Sequence, residues 1–443
     1  MTYRQENWKE TQVLARAVRV PRSARMYKTM QKNILMESRL RSIRWILIAV
    51  FALLAGFFTV QYLVVPPAQM SLYAILLAVA VLATIFVLVR TFKGRKMILA
   101  GLFALACLIG GYVLANAAFL GQVEERTLPV ISRTDGGDGH TAILYFTHGE
   151  PPGYSAMPWI ETMRELDRDN APFVPWFVRP IFFSGVRNEY FEAGGSAHNE
   201  LHKAFLDDLK RAMPEAEANG TKFYLAFLDS NPRPDEMVIR AINDGASKII
   251  VLQVFITEST HTLAGKDMIA SVHPEKYGVE VYYSSPLWDS DPVQKMWVER
   301  ANEMTGGINK SKVGILLVGH GQPTEWEKIY PAQNQQENQY RQAIREKLIA
   351  DGFSPEHVVL SWMQFQEPTI TESAKELAGS GVEKILVFSV SLSADSIHSE
   401  VEVPAAVARA ELPNKIVVEY VGQYCDHPLA IQAMIEKIVA CQK

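Results

Sequence analysis

Ile143-Leu144-Tyr145-Phe146-Thr147-His148-Gly149-Glu150-Pro151 and Ile315-Leu316-Leu317-Val318-Gly319-His320-Gly321-Gln322-Pro323 are two copies of one pattern, an apolar run that ends in His-Gly. A second pair lies downstream of each copy. Lys248-Ile249-Ile250-Val251-Leu252-Gln253-Val254 runs on to His261, and Lys384-Ile385-Leu386-Val387-Phe388-Ser389-Val390 runs on to His398. Around these segments, from Thr141 onward, short β-branched and aromatic runs alternate with amphipathic helical stretches. That alternation predicts an α/β fold with parallel sheets. The duplication predicts two similar Rossmann-like halves, 141–310 and 311–443, each a parallel sheet flanked by helices, facing each other across a cleft. His148, His261, His320 and His398 would all lie past the carboxyl ends of strands, where open α/β sheets bind ligands. One histidine after a strand is more often structural, but four at matching places in two repeats mark a site.

Outward toward the N-terminus the composition changes. The 443-residue chain has a formal charge of −4, which hides a split. Residues 1–120 carry 15 basic and 3 acidic side chains, and the remainder carries 29 against 45. The acidic remainder argues against nucleic acid as a partner, because phosphate binding needs a basic face. Three uncharged apolar runs, Trp45 to Val65, Leu72 to Val89 and Met97 to Leu120, have the length a helix needs to cross a bilayer. They predict a three-helix membrane anchor over 45–120, preceded by a basic segment, 1–44, and followed by a linker, 121–140. The first run lies too deep in the chain for a signal peptide and has no cleavage signature. Residues 1–44 and the second connection (Arg90, Lys93, Arg95, Lys96) are basic, whereas the first connection is uncharged. The positive-inside rule then puts the N-terminus in the cytoplasm and everything after Leu120 outside it. Cys107, Cys425 and Cys441 are too few for a disulfide scaffold or a structural zinc module.

Several segments carry a family resemblance. Tyr190-Phe191-Glu192-Ala193-Gly194-Gly195-Ser196 resembles the glycine-rich Ser loop of ferrochelatases. Gly319-His320-Gly321-Gln322-Pro323 is similar to their first active-site His motif, and Ser393-Ala394-Asp395-Ser396-Ile397-His398-Ser399-Glu400-Val401 resembles the second. Ser361-Trp362-Met363-Gln364 looks like the family's Trp-Gln strand, and Pro286-Leu287-Trp288-Asp289 like the end of its first half. The order holds from residue 141 to the C-terminus. The paired His-Gly motifs also resemble the cobalt and nickel chelatases of the same superfamily. The three-helix N-terminus is not part of the usual family pattern.

The resemblance implies a lyase that inserts a divalent metal into a tetrapyrrole, or removes one, without a redox cofactor. Fe2+ is the first expectation, with Co2+ or Ni2+ as alternatives. The chemistry requires the macrocycle to bend, two pyrrole N–H protons to leave and the metal to shed water. Imidazole suits this, being a near-neutral base and a transition-metal ligand. The expected catalytic set is therefore His320, His398 and Glu400, with His148 and His261 as further metal ligands. Gly194, Gly195, Ser196, Trp362 and Gln364 are expected at the tetrapyrrole. If residues 400–403 are extended, Glu400 and Glu402 share a face. The competing functions are a sirohydrochlorin cobalt or nickel chelatase and a non-catalytic haem- or metal-binding protein on the same fold.

Other features read more weakly. His198 and His202 lie four apart on one helical face, a possible metal pair, but a surface helix is the plainer expectation. Trp159, Phe173, Trp176, Phe177, Phe182 and Phe183 could line an apolar pocket or simply form core. Arg179, Arg187 and Arg233 could pair with propionates. Gly194-Gly195-Ser196 is no phosphate loop, since no Lys-Ser/Thr follows it.

Overall fold

The computed structural model describes residues 22–133, 139–171, 174–422 and 424–442. The expected residue Phe173, the first 21 residues of the basic segment and 134–138 of the expected linker lie outside them. The chain divides into two compact units, Met1–Gly121 and Gln122–Lys443.

The first unit contains α1 (Arg22–Val64), α2 (Pro67–Thr91) and α3 (Arg95–Leu120). Each is long and apolar enough to cross a membrane. Pro67 starts α2, where its missing N–H costs nothing. Leu72, Ile75, Val79, Leu82, Ile85, Phe86 and Val89 of α2 all face outward. An apolar exterior of this kind suits lipid rather than water. α1 and α3 touch backbone to backbone. A Cβ on Gly56 would stand 2.0 Å from Leu108 O, and one on Gly111 would stand 2.0 Å from Leu53 O. Small residues at such a contact are how helices pack without a hydrophobic drive.

The second unit holds two four-stranded sheets, β2-β1-β3-β4 and β6-β5-β7-β8, with every pairing parallel. The first comprises β1 (His140–Thr147), β2 (Lys222–Phe227), β3 (Ala246–Gln253) and β4 (Glu280–Tyr283). The second comprises β5 (Val313–Gly319), β6 (Val358–Trp362), β7 (Lys384–Phe388) and β8 (Val417–Val421). Strand β5 is buried along its whole length, which is why its sequence is continuously apolar rather than alternating. Between β1 and β2 lie α4 (Met157–Arg168), α5 (Arg179–Ala193) and α6 (His198–Ala212). Helices α7 (Pro234–Asn243) and α8 (Thr260–Ser271) cover the outer face of the first sheet, around Leu144, Val238, Ile242 and Ile269. After α9 (Asp291–Met304), the second half places α10 (Thr324–Ile329) and α11 (Ala332–Ala350) between β5 and β6. Helix α12 (Ile370–Gly379) and the short α13 (Val403–Ala408) cover its outer face, and α14 (Pro428–Ala440) closes the chain.

The inner faces of both sheets share one core. Tyr145, Ile250, Leu252, Leu317, Leu386, Phe388 and Trp297 all belong to it. Trp297 Nε1 donates to Tyr340 Oη at 2.7 Å, so the largest buried ring has its polar atom satisfied. The two-half α/β architecture is the one the duplication predicts. Residues 122–133, expected as linker, lie against the first half instead. Arg126 pairs with Asp235 and Glu236 at 2.6 and 3.1 Å, and Ser132 N donates to Asn243 Oδ1 at 2.8 Å.

Candidate metal and tetrapyrrole site

The two His-Gly corners are built alike. Leu228 N donates to Thr147 O and Asp229 N to His148 O, both at 2.9 Å. In the second half Met363 N donates to Gly319 O at 2.8 Å and Gln364 N to His320 O at 3.1 Å. Asp229 and Gln364 are therefore structural counterparts. Gly149 and Gly321 sit at φ +80° and +81°. A Cβ there would come within 2.5 Å of Phe227 Cβ or 2.3 Å of Gln364 O, so only glycine fits either corner. In both corners the imidazole turns back on the following carbonyl: His148 Nδ1 is 2.8 Å from Gly149 O, and His320 Nδ1 is 2.7 Å from Gly321 O. A carbonyl can only accept, so Nδ1 carries a hydrogen in both corners, and Nε2 is the ring nitrogen left to meet another partner.

In the first half that nitrogen meets a carboxylate. His148 Nε2 lies 3.2 Å from Asp229 Oδ2, and the His261 ring stands edge-on to His148 at 4.7 Å. One donor atom from each of His148, Asp229 and His261 falls within 4.8 Å of the others, spacing that suits a metal ion. Two acceptors cannot face each other at 3.2 Å unless a proton or a cation lies between them. Burial raises the Asp229 carboxyl above its ordinary value, partly offset by His148 and Arg233. Burial, then His148 and His320, hold His261 well below the usual imidazole range, so it is a neutral donor.

The second half uses its charges differently. His320 and His398 meet edge-on at 5.7 Å. Behind His398, Nδ1 lies 3.0 Å from Glu402 Oε2, a contact closer to an ion pair than to an aligned hydrogen bond. Gln364 Nε2 also donates to Glu402 Oε2, at 3.0 Å. Burial alone would lower His398, but the Glu402 charge overrides it and raises the imidazole to about 9. Burial would raise Glu402, but His398 holds it at about 2. His320 is lowered, first by burial and then by the His398 charge. At neutral pH the pair is thus a neutral His320 beside a protonated His398. The His320 corner is held by Glu337 of α11, which is 2% exposed and accepts from His320 N at 2.5 Å and Gly321 N at 3.2 Å. Ser391 Oγ also donates to Glu337.

All four expected histidines line one cleft, together with Asp229, Glu337, Gln364, Trp159 and His198. Other expected residues fall elsewhere. His398–Glu402 forms a single π-helical turn, not an extended segment, so Glu400 and Glu402 do not share a face. Glu402 turns to His398, whereas Glu400 makes neither that contact nor part of the cleft lining. Trp362 is buried beneath the Arg341 guanidinium, 3.7 Å from its ring centroid. Gly194, Gly195 and Ser196 brace the cleft from outside its lining. A Cβ on Gly195 would meet Pro152 O at 2.7 Å, Ser196 N donates to Pro152 O at 3.0 Å, and Ser196 Oγ donates to Glu150.

The α6 histidines are not on a surface. His198 is 4% exposed and His202 is fully buried, because α6 packs between the sheets. His202 Nδ1 lies 2.8 Å from Tyr145 Oη, and burial keeps its ring neutral. All three arginines are committed internally, Arg179 to Asp167, Arg233 to Glu124 at 3.0 Å, and the buried Arg187 to Ser184 Oγ at 3.0 Å. Trp176 and Phe177 are exposed, Phe183 is core, and Trp159 lines the cleft with Phe182 meeting it edge-on at 5.5 Å. Cys425 and Cys441 are free thiols.

The Ferrochelatase family model matches residues 140–401. Among solved structures, SirB from Bacillus subtilis with Fe3+ is 16% identical, with 68% of this chain and 95% of that chain covered at a TM-score of 0.44. SirB from Bacillus subtilis subspecies spizizenii in complex with cobalt is 14% identical, covering 68% and 95% at 0.40. CbiX, the terminal enzyme for biosynthesis of siroheme in denitrifying bacteria, is 12% identical, covering 68% and 98% at 0.40. The comparison with curated proteins finds no match.

Proposed function

The chain belongs to the ferrochelatase family and is a tetrapyrrole metal chelatase, a lyase, and from that premise we propose that it inserts Fe2+ at the second-half cluster. The observation that carries this reading is the unlike pair in the cleft, a neutral His320 beside a His398 kept protonated by Glu402. His320 Nε2 is the free base, able to take a pyrrole proton or to ligate the entering metal. His398 cannot accept at neutral pH. With Glu402 it holds a fixed ion pair beside the reaction, and its positive charge keeps His320 neutral and ready to accept. His148, Asp229 and His261 form a second set of donors on the same cleft, where the metal is held before insertion. The role expected of Glu400 passes in this reading to Glu402, and Gln364 positions that carboxylate.

The nitrogen-rich first-half set also favours a second reading, insertion of Co2+ or Ni2+, since imidazole serves those ions as readily as iron. Absorbance of the full-length protein incubated with protoporphyrin or sirohydrochlorin, with Fe2+, Co2+ or Ni2+ in turn, separates the two. Metallation of protoporphyrin by Fe2+ supports the first reading, and turnover of sirohydrochlorin alone replaces it with the second. No metallation of either, with haem bound unchanged, reduces the protein to a carrier.

We further propose that α1, α2 and α3 anchor the enzyme in a membrane with the basic N-terminus and the Arg90–Lys96 loop in the cytoplasm. The chelatase unit then lies outside. Alkaline phosphatase fused at Gln122 and at Lys443 should be active and a fluorescent protein dark. The reverse pattern overturns the orientation.

A further inference from the structure

His198 is the first residue of α6, and its ring lines the same cleft as His148, His261, His320 and His398. Its Nδ1 lies 3.1 Å from Asp395 O, a carbonyl contributed by the second half. A carbonyl accepts only, so the hydrogen of the neutral ring is on Nδ1 and the lone pair is on Nε2. That Nε2 is buried and has no hydrogen-bond partner. The residue is 4% exposed, and a buried acceptor left in this state costs stability unless something binds it. The ring cannot turn to find a partner. His202 packs on it at 4.6 Å, and His202 is itself fixed by Tyr145, Thr147 and Ser393. Burial, followed by His148, pushes His198 down to about 3, and His398 also disfavours its protonation. A neutral, immobile imidazole is therefore held within the influence of both clusters, with one nitrogen unused.

We infer that His198 Nε2 is a further ligand to the divalent metal, on the cleft that also holds the first-half set (His148, Asp229, His261) and the second-half pair (His320, His398). The inference rests on the chelatase reading for the identity of the metal, but not on insertion taking place. It gives a metal in the cleft one more nitrogen donor, held in place by the fold before the ion arrives.

The test uses Co2+ alone with the full-length protein and no tetrapyrrole. His198→Asn keeps an amide N–H for Asp395 O but removes the Nε2 lone pair. It should weaken Co2+ binding roughly tenfold or more and change the ligand-field absorption of the bound ion. An isotherm and spectrum identical to wild type overturn the inference. A measurement without any variant stands beside it in case the substitution disturbs folding. Wild-type protein treated with Cu2+, ascorbate and oxygen should carry 2-oxohistidine at His198 as well as at His148 and His261, read by peptide mass spectrometry. No oxidation at His198 overturns the inference. Because neither measurement involves insertion, a wild type that metallates nothing but shows the His198 dependence refutes the chelatase reading alone.

Discussion

The two halves share a corner down to the hydrogen bond, yet they place their carboxylates differently. In the first half the acid is Asp229, at the end of the neighbouring strand, facing Nε2 of His148 at 3.2 Å. In the second half that position is Gln364, and the acid has moved to Glu402, behind His398. The first arrangement collects donors around one point and suits holding a cation. The second separates a base from an acid and suits moving protons. The same corner thus appears twice, with an acid at the strand end in the first half and an amide there in the second, whose acid sits behind His398.

The comparison breaks most visibly at His320. His320→Ala should lower the insertion rate at least ~100-fold, the scale of a lost general base or essential ligand. His148→Ala should cost less when metal is saturating, and equal losses in steady-state assays would erase the distinction between the halves.

Glu402→Gln should reduce turnover by roughly 10- to 30-fold and alter the pH profile. The folded-state pKa of His398 is raised from 6.5 to about 9. The stability contributed by the pair is therefore fully present between about 4.5 and 6.5, and is lost as pH rises through about 9 or falls through about 2. Without the Glu402 charge, burial of His398 is opposed only by the more distant Glu150 and Glu189, so the alkaline limb of both rate and melting temperature should move to lower pH. An unmoved limb would mean that another group sets it.

Asp229→Asn should weaken Co2+ binding about tenfold while leaving kcat at saturating metal within a few-fold of wild type, because its carboxylate serves the holding site. Equilibrium titration and steady-state kinetics on the same preparation check the split. A fall in kcat with unchanged Co2+ affinity would reverse the assignment of the halves.

Glu337→Gln is the smallest of the four. An amide oxygen can still accept from His320 N or Gly321 N but not serve both with the strength of a carboxylate. A fall of about three- to tenfold in kcat, with KM for tetrapyrrole unchanged, is expected. A change in KM alone would show that Glu337 shapes the pocket instead.

Much of this was legible in the sequence. The repeated apolar run ending in His-Gly announces two parallel sheets and places four histidines at one end of them, because strand direction fixes where each run stops. The three membrane-length runs are legible for the simpler reason that lipid demands about 20 apolar residues. What escaped depends on contacts far apart in the chain. Asp229 does follow a strand, a signal that strand-end reading could have used, but its meaning comes only from His148 across the sheet. Glu402 is distinguished from Glu400 by one π-helical turn, and an extended segment would have put both on one face. The burial of His198 and His202 was hidden because α6 alone reads as amphipathic, with Lys203, Asp207 and Lys210 on its other side. Glu337 likewise sits in a polar stretch, Gln333 to Asn338, that reads as solvent-facing until α11 is laid against β5.

Glu150 gives the cleft a mechanical character. Its carboxylate, carried by the first half, accepts from Ser196 Oγ and also from Ile397 N, the amide just before His398 in the second half. It acts as a latch across the gap. Any separation of the halves would surrender that charge-assisted bond, ~1.5–3 kcal/mol, and loosen the turn that carries His398. One carboxylate thus ties the aim of that imidazole to the closeness of the two halves.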